Sequence, residues 1–300
     1  MTQRLSLAAV LLFYAPALLP GQTPGDANRS PAKTAAAEPS SRTAGRTLDE
    51  ARTRLNRLRT VSASLRQTAV VEGHRFVNEG RLLLASGGRV RIELNPAPEQ
   101  EGVGPALLQV SDGTVMHTRF AVGDRVAVTR RNVRTVREEA AKRPSGASLA
   151  GDLASGGLSG ALASLRTQMR WEEPEKETVG DRPFVVLTGR WTATAQKTLD
   201  LREDRLKPNG VTVHLDAERL FPHRIRYWTQ TPGGPRVPAL TLTVTDVTLN
   251  GSLPADAFTF RLPDGVEVDD QTERAVARAR TAGTALAAKP ETDPDESDDE

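Results

Sequence analysis

The spacing of apolar positions changes along this chain, and the changes divide it into segments. Leu48, Ala51, Leu55 and Leu58 recur at helical intervals with arginines between them, which predicts a short amphipathic helix. Thr47 stands as its N-cap, with Glu50 three residues on as in a capping box. From Val61 the period becomes two, and strands are predicted over 61–71 and 75–85 with Ser86-Gly87-Gly88 as a turn. Arg89 to Leu94 alternates most cleanly, with Val90, Ile92 and Leu94 on one face and charges on the other. One buried face and one wet face suit an antiparallel sheet. Leu107 to Ser111, Asp112-Gly113 and Thr114 to Phe120 read as a second hairpin, and Arg125 to Arg131 as a further strand pairing Val126 with Val128.

The period-two pattern breaks over 138–170, a stretch rich in Ala, Gly and Ser. There Leu158, Leu162, Leu165 and Met169 return to helical spacing, which predicts one or two short helices on glycine joints. Strands resume at 183–191, at 211–216 after an Asn209-Gly210 turn, at 224–228 and at 240–244, and Phe258 to Arg261 closes the set. The outcome is a mainly β chain with helices, an α+β class of about ten strands. A sheet that size must curl or close to hide its edges.

Composition sets the ends apart. Arg4 and the apolar run Leu5–Leu19 read as a secretory leader, domain 1–21 with its cut between 17 and 27. The run is short for a bilayer-spanning helix of ~20 residues. Residues 22–46 are Pro-, Ala-, Ser- and Thr-rich and read as a flexible linker. The folded domain is expected over 47–272, followed by a helix over 273–288 and an acidic tail over 289–300 with seven acids in its last ten residues. With no cysteine there is no disulfide, no thiol nucleophile and no site behind the leader for a lipid anchor. A net charge of +2 spread along strands, with three Trp, two Tyr and seven Phe for stacking, speaks against nucleic acid.

No motif carries catalysis. The four histidines His74, His117, His214 and His223 lack metal-ligand spacing, and His214 falls on the polar face of its strand. Gly156-Gly157-Leu158-Ser159-Gly160 has neither the preceding strand nor the Lys-Ser/Thr ending of a phosphate loop. No catalytic residue, metal or cofactor is therefore assigned, and the chain is not read as an enzyme.

Three stretches carry a family resemblance. Thr53-Arg54-Leu55-Asn56-Arg57-Leu58-Arg59-Thr60-Val61-Ser62-Ala63-Ser64-Leu65-Arg66-Gln67 runs a helix directly into the first strand. Leu107-Leu108-Gln109-Val110-Ser111-Asp112-Gly113-Thr114 gives strand, Asp-Gly turn and strand. Phe258-Thr259-Phe260-Arg261-Leu262-Pro263-Asp264-Gly265-Val266-Glu267-Val268-Asp269-Asp270 matches an F-x-F-x-x-P-x-G-V-x-V-x-D ending. In this order the chain resembles the LolA family, periplasmic carriers of outer-membrane lipoproteins. The resemblance implies a strongly curved antiparallel sheet forming an incomplete barrel, covered by the N-terminal helix and a helical lid at 138–170.

It also implies a periplasmic monomer that shields acyl chains of a lipid or lipoprotein, with lipoprotein-sorting components of the inner and outer membranes as partners. The ligand-facing residues are expected to be Val90, Ile92, Leu94, Met116, Phe120, Val126 and Val128 from strands and Leu158, Leu162, Leu165 and Met169 from the lid. The same residues would also serve as an ordinary core. Where the family carries an Arg-Pro pair this chain has Ser86-Gly87, so the role of that arginine passes to no residue here. A sensing or protein-interaction module on the same fold is the alternative function.

Overall fold

The computed structural model describes residues 39–71, 73–100, 104–142, 153–193, 195–196 and 208–287. The expected leader, most of the expected linker, residues 143–152 of the expected lid and the expected acidic tail lie outside them. Helix α1 (Pro39–Asn56) leads into strands β1 (Thr60–Val71), β2 (His74–Ala85), β3 (Arg89–Pro96), β4 (Ala106–Ser111), β5 (Val115–Val122) and β6 (Arg125–Asn132). Helices α2 (Val133–Ala141) and α3 (Leu153–Gln168) follow. A second run comprises β7 (Met169–Trp171), β8 (Glu175–Val179), β9 (Arg182–Trp191), β10 (Gly210–Asp216), β11 (Pro222–Thr229) and β12 (Val237–Leu249). Strand β13 (Val268–Asp270) and helix α4 (Thr272–Ala287) end the described chain.

Among the described residues thirteen strands join one sheet in the order β13-β6-β5-β4-β3-β2-β1-β12-β11-β10-β9-β7, with β8 also on β9. The two runs meet where β1 pairs with β2 on one side and β12 on the other. Residues opposed on neighbouring strands share a face, so the register can be read as rows. Val61, Leu84, Val90, Ser111 and Met116 form one row, and Ala63, Leu82, Ile92, Gln109 and Thr118 the next. Apolar residues of β3 and of β10, far apart in strand order, share a single buried cluster with Leu48 of α1 and Leu162 of α3. The sheet therefore curves around α1 and α3 and stays open, with β13 at one edge and β7 and β8 at the other.

The convex face mixes charged residues with buried apolar ones such as Leu83 and Val110 and is partly strapped. Glu93 takes Arg81 at 2.5 Å and Arg91 at 2.5 Å. Burial alone would raise its pKa, yet hydrogen bonds from the two arginines outweigh it and hold the carboxyl below its usual range. After β12 the chain crosses this face. Arg91 Nη1 donates to the Ala257 carbonyl at 3.2 Å, Arg89 lies 5.3 Å from the Phe258 ring, and Phe260 stacks on His117 at 4.7 Å. The crossing ends where β13 pairs with β6 in parallel.

Several expectations are corrected. The helix begins at Pro39 and not at Thr47, because Ala44 as well as Leu48 is fully buried. Thr47 sits mid-helix with its hydroxyl donating to the Thr43 carbonyl, and Glu50 pairs with Arg54 instead of closing a capping box. Residues 258–261 are not a strand, since their aromatic rings are spent on the convex face, and the ladder forms at 268–270. Met169 begins β7, and β7 and β8 run along the same edge of β9 as one interrupted strand. His214 is buried: its ring meets Phe184 edge-on at 6.1 Å and its Nε2 lies 3.3 Å from Glu177.

Candidate functional site: the concave face beneath the lid helix

The concave face is built from alternate residues of ten strands and two helices laid in its hollow. From α1 come Leu48, Ala51 and Leu55, from α3 Leu153, Leu158, Leu162 and Leu165. The four leucines of α3 are each 3% exposed or less. One exposed ion pair, Arg166 to Asp49 at 3.4 Å, ties α3 to α1, and such a pair is worth little. Apolar packing therefore supplies most of what holds α3, with the Gln168 carbonyl also accepting from the Thr192 N–H at 2.9 Å.

Gly157 interrupts α3 between Leu153 and Leu158. Its φ of 60° and ψ of −158° break the helical run, in a region that is essentially glycine's own. A Cβ there would meet Leu84 Cδ2 at 3.1 Å and Val90 Cγ2 at 3.8 Å. The break lets the start of α3 lie against β2 and β3.

Of the eleven expected ligand-facing residues, Val90, Ile92, Leu94, Leu158, Leu162, Leu165 and Met169 come together in this cluster, and Phe120 packs against it half-buried. Met116 is on the same face but packs with Val133 of α2 in a separate cluster. Val126 and Val128 are placed differently. Phe120 opposes Ala127 and Arg119 opposes Val128, so both valines sit on the convex face, where Val128 neighbours Val268. The expectation paired them correctly with each other but on the wrong side of the sheet, because alternation within a strand does not say which face is inward.

Sequence reasoning left out the half of the site that the second run supplies. Trp171, Leu187, Val211, Val213, Leu215, Ile225, Leu242 and Val244 all belong to the cluster. Their alternation was visible, but nothing local brings β10 to α1. Tyr227 packs beside them and stacks on Trp191 at 6.3 Å, and burial pushes its hydroxyl up to about 12.

The concave space is largely filled. A cavity of about 240 Å³ remains between the end of α1 and the turn after β10, lined by Leu55, Leu58, Phe221 and Leu249 with Arg54, Glu218 and Arg219 at its rim. That is less than the ~300–1,000 Å³ of ordinary ligand pockets. A larger hollow of about 480 Å³ is lined by Arg59, Thr60 and Arg89 together with Asn250, Pro254 and Phe258 of the segment after β12. Among the described residues no three His, Cys, Asp or Glu side chains are grouped to hold a metal, and no helix is long and apolar enough to cross a membrane.

An open, curved antiparallel sheet with helices in its hollow is the class this architecture defines. Solved structures similar to it include a LolA superfamily protein from Nitrosomonas europaea, at 13% identity over 73% of this chain and 98% of that one, with a TM-score of 0.31. Lipoprotein LppX of Mycobacterium tuberculosis is also similar, at 13% identity over 71% of this chain and 98% of that one, TM-score 0.39. The complex of MucA and MucB from Pseudomonas aeruginosa gives 14% identity over 73% of this chain and 61% of that one, TM-score 0.36. No protein-family model and no curated protein matches the chain.

Proposed function

We propose that this chain is an exported, periplasmic binding protein that shields the acyl chains of a lipid or lipoprotein on its concave face and carries them toward the outer membrane. One observation carries the reading: the apolar cluster of the concave face is covered by a helix held chiefly by apolar packing and interrupted at Gly157. Each CH₂ withdrawn from water is worth ~0.8 kcal/mol, so exchanging the leucines of α3 for an acyl chain conserves buried apolar area. The contacts that close the lid are then of the same kind as those that would hold the cargo. The cavity beside Leu55 and Phe221 is where a chain end would first enter. The leader sequence and the resemblance to the LolA family support the periplasmic location.

Titrating the purified full chain with dansyl-labelled undecanoic acid tests this. Saturable binding with a blue-shifted emission is expected. A folded β spectrum without binding would remove acyl carriage and leave an interaction module on the same frame.

A further inference from the structure

Gln109 of β4 and Thr118 of β5 are cross-strand partners, each 1% exposed. Gln109 is opposed on its other side by Ile92, so both side chains are on the concave face, with Leu107, Met116, Phe120 and Ser111 beside them and Thr129 of β6 opposite Thr118. Gln109 Nε2 and Thr118 Oγ1 have no hydrogen-bond partner. A second polar pair on the same face behaves differently: Asn78 Nδ2 donates to Gln67 Oε1 at 3.1 Å. Trp171 Nε1, another buried donor of the concave cluster, is also without a partner.

Buried donors left unmet cost free energy, and a Leu and Val pair would fill the same space without that cost. What these groups have in common is a hydrogen to donate, so the complement is an acceptor oxygen. Cross-strand partners have Cβ atoms roughly 5 Å apart, which puts both donors within reach of one oxygen carrying two lone pairs. A bare hydrocarbon offers no such atom. A carboxylate is a poorer match: Arg131 of β6, the cation this face brings nearest, lies opposite Met116 and not opposite either donor, and a charge buried away from it is costly.

We infer that Gln109 and Thr118 anchor the carbonyl of an ester- or amide-linked acyl chain, so that the site selects acylated lipid over plain hydrocarbon. This rests on the acyl-binding reading above and adds the point of attachment. The test compares 1-monooleoylglycerol with its 1-O-oleyl ether analogue, each displacing the dansyl probe from the full chain and from the Gln109→Leu, Thr118→Val double variant. The full chain should bind the ester about tenfold more tightly than the ether, equivalent to about 1.4 kcal/mol. The double variant should bind the two alike and melt no lower.

Equal binding of ester and ether by the unaltered chain overturns the anchor while leaving acyl binding intact. A preference that survives in the double variant also overturns it, as would follow if the pair holds only a buried water. Failure to bind either lipid or the probe takes down the acyl reading and the anchor together. Should the double variant not fold, the ester-to-ether ratio of the unaltered chain and of Thr118→Val decides.

Discussion

Gly157 combines a φ of 60° with a ψ of −158° directly over Leu84 and Val90, and a side chain there meets both backbone strain and the sheet. Gly157→Ala is therefore expected to lower stability by about 1–3 kcal/mol, read as a shift in the urea midpoint; an unchanged midpoint would show that the break tolerates an ordinary residue. Leu162 is wholly buried between sheet and α1, and Leu162→Ala should cost about 2–5 kcal/mol by the same measurement. At this scale the sequence was informative about type and spacing and silent about direction. Leu158, Leu162 and Leu165 could be picked out from period alone, and they are buried together. Val126 and Val128 obey the same alternation as Val90 and Ile92, yet the register turns them to the opposite face. His214, on a polar face by its neighbours, is buried because β8 and Phe184 cover it, and no local signal announces that strand.

Among elements, the edge built from α2, α4, β6 and β13 is pinned by carboxylates. Hydrogen bonds from Lys142 and then Arg280 hold Glu139 down to about 2, linking α2 to α4. Asp270 is held at about 2 by the side chain and backbone N–H of Thr272 and by Arg130, joining β13 and the start of α4 to β6. Folded values below the ordinary carboxylate range mean stability that is present above about pH 4.5 and lost as pH falls toward 2. Amide exchange in α4 is expected to accelerate over that window, and exchange that stays flat would deny the carboxylates this role.

Three histidines, His214 buried and His117 and His223 half-buried, act on the same sign at higher pH. Desolvation, then Arg224 in the case of His214 and Arg130 in that of His117, lowers both imidazoles, and burial lowers His223. Their stabilisation is complete above about pH 6.5 and fades on acidification. Urea midpoints should thus fall between about pH 7 and pH 5, and less so in His214→Gln; a slope untouched by that substitution would contradict the assignment. Most of these elements were legible as alternating runs. Strand β8 was not, because an edge strand of exposed charged residues has no apolar period, and β13 was displaced because its ladder depends on β6, distant in sequence.

At the scale of the molecule, two runs of strands join through β1 into one open sheet that curves around α1 and α3. The class of fold could be anticipated from period-two strands around a helical insertion. The strand order could not, since pairing β1 with β12 spans most of the domain and is fixed only when both apolar faces share one core. The same closure leaves a hollow whose covering helix and whose cargo would compete for the same surface. Two tryptophans bracket the sheet and report on that claim: Trp171 belongs to the concave cluster, whereas Trp228 lies on the convex face between Arg190 at 5.0 Å and Arg236 at 4.8 Å. The most direct measurement is quenching by dibromostearic acid, whose bromines quench tryptophan only near contact, in chains that keep one tryptophan each. Trp171, kept by Trp191→Phe with Trp228→Phe, should be quenched saturably, and Trp228, kept by Trp171→Phe with Trp191→Phe, should not. Quenching confined to Trp228, or absent from both, would contradict binding on the concave face.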